Sequence, residues 1–182
     1  MNLAHEVSKR STCTRRQIGA IIVSDTGEIR STGYNGNPRG LPHCDDMGCI
    51  RDQLKIPSGT RMETCTAVHA EQNALIQAGA NSRGGTMYST IVPCPICARM
   101  IINAQIKRVV YSGDYSDTEG LEILKRVGIE VIRLKTSEVI SIVSGRSTNQ
   151  CYTHLHPLFG CAQSRAHLRP IGRYPSHELH ES

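Results

Sequence analysis

The sequence predicts a three-layer α/β/α domain on a five-stranded mixed sheet. Three observations carry this expectation. Two β-rich runs, 18–24 and 29–34, flank Asp25-Thr26-Gly27 in the manner of a hairpin. After residue 66, strand-length apolar runs alternate with helix-length amphipathic segments, as in parallel strands joined by crossover helices. No run of about 18 apolar residues is present, so no membrane-spanning helix is expected.

The elements follow in order. Leu3, Ala4 and Val7 stand at helical spacing and predict a short helix over 2–11. The hairpin comes next. Residues 35–66 lack periodicity and carry Gly, Pro, Asp and Cys. A structureless segment of that length is expected to be functional or clamped. Thr66 is a plausible N-cap for a helix over 66–78, with Val68, Ala70, Ala74, Leu75 and Ala78 inward and Gly79 as its stop. A strand over 86–90 precedes a helix that Pro95 can start, running to 104 with Ile96, Met100 and Ile101 facing in. A strand over 107–112, a helix over 117–127 ended by Gly128, and a strand over 129–134 complete the alternation. A last short helix is expected over 136–143.

Length and composition set bounds. The 182 residues suit one domain, placed here at 1–144. Residues 145–182 form a His-rich extension with little apolar periodicity, expected to be poorly ordered. The charged residues of Met1–Arg10 do not resemble a secretory leader, and a cytoplasmic location is expected. In that setting eight cysteines read as metal ligands before disulfides. The net charge of +5 suits an anionic ligand but is too mild to indicate nucleic acid. Aromatic residues, at 4%, supply no base-stacking stripe.

The chemistry is concentrated in two short motifs. His69-Ala70-Glu71 opens one predicted helix, and Pro93-Cys94-Pro95-Ile96-Cys97 opens the next, with one strand between them. His69, Cys94 and Cys97 offer one imidazole and two thiolates to zinc. That set leaves the fourth tetrahedral position for water, as a catalytic rather than a structural site requires. Helix N-termini favour the anionic thiolates. Glu71 need not be a ligand and can act as the general base and acid.

The His-x-Glu, Pro-Cys-x-x-Cys order is the signature of zinc-dependent base deaminases. Further stretches sharpen the resemblance: 17–23 (QIGAIIV), 31–36 (STGYNG), 69–74 (HAEQNA), 93–98 (PCPICA) and 101–104 (IINA). Over about residues 4–134 the chain resembles the cytidine deaminase superfamily, and most closely its deoxycytidylate deaminase branch. The resemblance implies a cytidine-deaminase-like fold and hydrolysis of dCMP to dUMP, a precursor of thymidylate. Zinc-activated water would attack C4 while Glu71 protonates N3 and ammonia leaves. It places Asn35 at the sugar hydroxyl, the Ala70 backbone at the exocyclic amine, Arg15 and Arg16 at the phosphate, and Tyr115 near the nucleotide. It also implies a homo-oligomer, often a hexamer, regulated by dCTP or dTTP.

Cys13, His43, Cys44, Cys49 and Cys65 remain outside this site. Cys13, Cys44, Cys49 and Cys65, with His43 as a substitute, would make a second, closed zinc site clamping the long loop. Some relatives carry such a zinc with varying ligands. Two other readings stay open: the same chemistry on another base (tRNA adenosine, cytosine, guanine or a pterin-like ring), and a non-catalytic zinc module.

Overall fold

The computed structural model describes residues 1–57, 60–114 and 118–135. Tyr115, the expected helix over 136–143 and the extension over 145–182 lie outside these residues. The described chain runs α1 (Asn2–Ser8), β1 (Gly19–Val23), β2 (Ile29–Tyr34), α2 (Cys44–Met47), α3 (Ile50–Gln53), α4 (Ala70–Ala78), β3 (Thr86–Ile91), α5 (Pro95–Asn103), β4 (Arg108–Gly113), α6 (Glu119–Arg126) and β5 (Glu130–Arg133). Short 3-10 turns lie at Met62–Thr64 and Gly79–Ser82.

The five strands form one sheet in the order β2-β1-β3-β4-β5. β1 is antiparallel to both β2 and β3, whereas β3, β4 and β5 run parallel. The expected mixed sheet is therefore present. β1, with Ala20, Ile21 and Ile22 all buried, is apolar on both faces because helices cover both.

Two glycines show how the layers close. A Cβ on Gly19 would strike the Ala4 carbonyl of α1, and one on Gly33 would strike the Ala70 carbonyl of α4. Gly33 pairs with Ala20, the neighbour of Gly19, so these close contacts lie on opposite faces. The α4 face holds the main core: Ala20, Ile22 and Met87 from the sheet, Ala70, Ala74 and Leu75 from α4, Ala98 and Ile101 from α5, and Leu124 from α6. Burying a side chain such as Ile101 contributes about 1.5–3 kcal/mol.

Some local expectations change. The helix expected over 66–78 begins at Ala70, with His69 rather than Thr66 as N-cap. Val68 is held in an extended bridge to Gly36, donating at 2.9 Å and accepting at 3.2 Å, so its backbone cannot enter a helix. The segment over 35–66 contains α2, α3 and a 3-10 turn where no structure was expected. In α5 the buried residues are Cys97, Ala98 and Ile101, while Ile96 is 54% exposed instead of inward. α1 stops at Ser8, shorter than the expected 2–11.

Candidate metal centre and its cavity

Two helix starts meet at the centre of this face. His69 caps α4, and Cys94 caps α5 with its sulfur accepting from the Cys97 backbone N–H at 3.5 Å. Pro95 follows at the first helical position, where its missing N–H leaves no intrahelical bond unmade. The Cys-x-x-Cys spacing then sets both sulfurs on one turn. His69 Nδ1 lies 3.6 Å from Cys94 Sγ and 3.4 Å from Cys97 Sγ.

These separations fit a metal. Zinc at its usual bond lengths, with tetrahedral angles, sets a nitrogen and a sulfur ligand about 3.5 Å apart. All three ligand atoms lie within 4.8 Å of one another, and among the described residues this is the one such group of three or more. The centre can hold a zinc ion, and among the described residues no fourth ligand joins it.

Without metal, the thiols share a proton unequally. The hydrogen bond from Cys97 pulls the Cys94 thiol down to about 4, and burial opposes this. That same bond, with burial, pushes Cys97 up. The bond to Cys94 raises His69 against the opposing effect of burial.

Glu71 stands in the first turn of α4 and is 2% exposed. Its Oε2 lies 3.9 Å from Cys97 Sγ, and Ser89 on β3 donates to its Oε1 at 3.3 Å. Burial pushes its carboxyl up, and the His69 charge and the Ser89 bond oppose that shift. A buried carboxyl beside a metal centre can relay protons. Ser89 is fully buried, and on a strand that also carries Thr86 and Thr90 nothing local in the sequence distinguished it.

A cavity of about 550 Å³ opens from this centre. Of the residues expected to bind substrate, Asn35, Arg15 and Arg16 line it. Asn35 does so with most of its amide already engaged. Oδ1 accepts from Ser11 Oγ at 2.7 Å and from the Ile18 N–H at 2.8 Å, and Nδ2 donates to the Arg16 carbonyl at 2.9 Å. Asn35 thus pins residues 11–18 to the end of β2 and keeps one N–H in reserve. Ala70 is fully buried, and its carbonyl packs on Gly33 of β2, while its neighbours His69 and Glu71 line the cavity.

Cys13, Cys44, Cys49 and Cys65 also line this cavity. Their sulfurs do not draw within 4.8 Å of one another as a group, although Cys44 is raised first by burial and then by the other three. His43 instead sets Nδ1 3.2 Å from Thr12 Oγ1. Arg51 of α3 lines it as well and is 6% exposed. Nothing local in the sequence distinguished it.

The sheet, the two capped helices and a three-ligand group with a buried carboxyl beside it define a candidate metal centre on an α/β scaffold. Comparison with known proteins makes this specific. A family model of the cytidine and deoxycytidylate deaminase zinc-binding region matches residues 1–113, and the chain belongs to that family. The deoxycytidylate deaminase of Saccharomyces cerevisiae is 38% identical over 146 residues, covering 79% of this chain and 46% of the yeast protein. ComE operon protein 2 of Bacillus subtilis is 34% identical over 151 residues, covering 80% of this chain and 75% of that protein. The dCMP deaminase of cyanophage S-TIM5, solved with dCMP and dUMP, superposes with a TM-score of 0.61 at 32% identity, covering 73% and 92% of the two chains. The chain spans less than half the length of the S. cerevisiae and Schizosaccharomyces pombe relatives, at 46% and 41%.

Proposed function

We propose that this chain hydrolyses dCMP to dUMP and ammonia at a zinc ion held by His69, Cys94 and Cys97. The observation that carries the reading is Glu71, buried 3.9 Å from Cys97 Sγ beside a ligand set with one position to spare. A closed structural zinc has no use for such a carboxyl. The deoxycytidylate deaminases among its relatives, and the phage enzyme bound to dCMP and dUMP, support the choice of substrate.

A zinc ion held by His69, Cys94 and Cys97 would supply an activated water as nucleophile near neutral pH. The protein's own part is proton transfer and positioning. Glu71 takes the water's proton and delivers it to N3 as the new C4–O bond forms. It then carries the second proton to the amino group, and the C4–N bond breaks to release ammonia. Ser89 holds Glu71 Oε1 during these transfers. The reading assigns the remaining N–H of Asn35 to the sugar, Arg15 and Arg16 to the phosphate, and Tyr115, by the resemblance alone, to the nucleotide. Thymidylate supply is the use for the dUMP, and a cytoplasmic homo-oligomer controlled by dCTP or dTTP completes the reading. Cys13, Cys44, Cys49 and Cys65 take a second, structural zinc.

The test is ultraviolet-monitored turnover by zinc-loaded protein, offered dCMP, deoxycytidine, CMP and dCTP. Preferential conversion of dCMP is expected. A folded, zinc-loaded protein inert toward all four removes this reading and returns the site to another base or to a non-catalytic module.

A further inference from the structure

Arg51 is a charged residue in an unusual position. It lies on α3, one residue beyond the start of that helix, and its residue is 6% exposed. A guanidinium is always charged and carries five N–H donors. Here Nη2 donates to the Pro57 carbonyl at 2.9 Å and the Thr60 carbonyl at 2.7 Å. Nη1 has the Met62 thioether at 3.2 Å, a weak acceptor. Nε is buried and has no partner. No carboxylate among the described residues forms an ion pair with it.

Arg15 reaches the same loop. Its Nη2 donates to the Ile56 carbonyl at 3.1 Å, the residue immediately before Pro57. Its Nη1 is likewise buried without a partner. Its Nε pairs with Asp52 at 3.3 Å, but that carboxylate is 57% exposed. Two guanidiniums thus grip consecutive carbonyls of one loop, each with an unused N–H. Of the two, Arg15 alone has a carboxylate partner among the described residues, the solvated Asp52.

Like charges brought together and desolvated repel and lose hydration. They persist where an anion completes them. Both arginines line the cavity that contains His69 and Glu71, and its volume of about 550 Å³ admits a nucleoside monophosphate. Arginine forks match phosphate oxygens in geometry as well as charge.

We propose that Arg51, with Arg15, forms the anion-recognition end of this cavity and selects a phosphorylated nucleotide over its nucleoside. This assignment rests on reading the site as a nucleotide deaminase. It adds Arg51 as a specificity-determining residue, supplied by the 35–66 loop rather than by the segment before β1. Phosphate oxygens displace the Met62 thioether as acceptor and take up the spare donors.

Inorganic phosphate is the direct probe. With zinc-loaded full-length protein, phosphate should raise Tm above the value in chloride at equal ionic strength, and it should compete with dCMP. Arg51→Lys retains the charge but loses the fork. It should reduce the ratio of kcat/KM for dCMP over deoxycytidine by about tenfold or more, chiefly through KM for dCMP. Arg51→Gln should abolish the phosphate-specific rise in Tm. The proposal is overturned if wild-type protein shows no phosphate-specific rise, a result that needs no variant to fold. It is also overturned if Arg51→Lys, with wild-type Tm and zinc content, keeps the substrate ratio. A wild-type protein that binds phosphate yet deaminates neither substrate sinks the dCMP reading and leaves the anion site standing.

Discussion

Ser89 donates its hydroxyl to Glu71 Oε1 across 3.3 Å, joining the central strand β3 to the first turn of α4 inside the core. Both residues are nearly or wholly buried, so water cannot substitute for either partner. Ser89→Ala should leave zinc content unchanged and lower kcat about tenfold, the size expected for removing a group that orients another. Unchanged kcat in zinc-replete protein would show that packing alone holds Glu71.

Glu71 itself should separate chemistry from metal binding. Glu71→Gln preserves shape and should retain zinc while kcat falls by about 10²–10⁴-fold, the range for loss of a general acid–base. Metal analysis beside single-turnover rates checks this. Substantial residual turnover would remove Glu71 from proton transfer.

Gly120 shapes the metal centre from outside it. A Cβ there would overlap the Pro93 carbonyl oxygen and come within 3.0 Å of the Cys94 carbonyl carbon, both backbone atoms that cannot swing away. Gly120→Ala should therefore displace the start of α5 and speed zinc loss to a chelator. It should also lower Tm, by a loss of about 1–3 kcal/mol typical of overpacking. A wild-type rate of zinc release would mean that α6 moves instead.

Zinc uptake should release protons. In the metal-free centre Cys94, at about 4, is already a thiolate at neutral pH. Cys97 and His69 are both raised and hold their protons more tightly than free side chains. Zinc requires thiolates and a neutral imidazole. Affinity must then rise with pH, by about tenfold per pH unit for each proton displaced, and fall as the solution is acidified. Calorimetry in buffers of different ionisation enthalpy counts the protons. No buffer dependence would contradict the assigned protonation.

The second thiol cluster gives a prediction in metal content. If Cys13, Cys44, Cys49 and Cys65 hold zinc, purified protein should contain more than one zinc per chain, and Cys44→Ser should lose the excess while the catalytic ion stays. A single zinc per wild-type chain excludes the second site.

Much of the catalytic end was legible in the sequence because it is local. His69-Ala70-Glu71 and Pro93-Cys94-Pro95-Ile96-Cys97 each place their ligands within one turn of a helix start, and both helices form where expected, apart from the shift from Thr66 to His69. That shift came from a long-range bridge between Val68 and Gly36, which no local propensity registers. Asn35 shows the same division. Its position was readable, but its bonds to Ser11, Arg16 and Ile18 come from residues 17 to 24 positions away.

The sequence by itself determined the alternation of strands and helices, the three-ligand metal set and the carboxyl beside it. Periodicity, helix caps and ligand spacing act over a few residues, so a linear chain displays them. Only the tertiary structure decided that Ser89 faces Glu71, that the Ala70 carbonyl turns to Gly33, and that the buried Arg51 and Arg15 bond consecutive carbonyls in the lining of one cavity. Those relationships depend on which side of the sheet a side chain takes and on how a long loop folds over it. Burial and the demand for hydrogen-bond partners settle both, and neither is a property of any short segment.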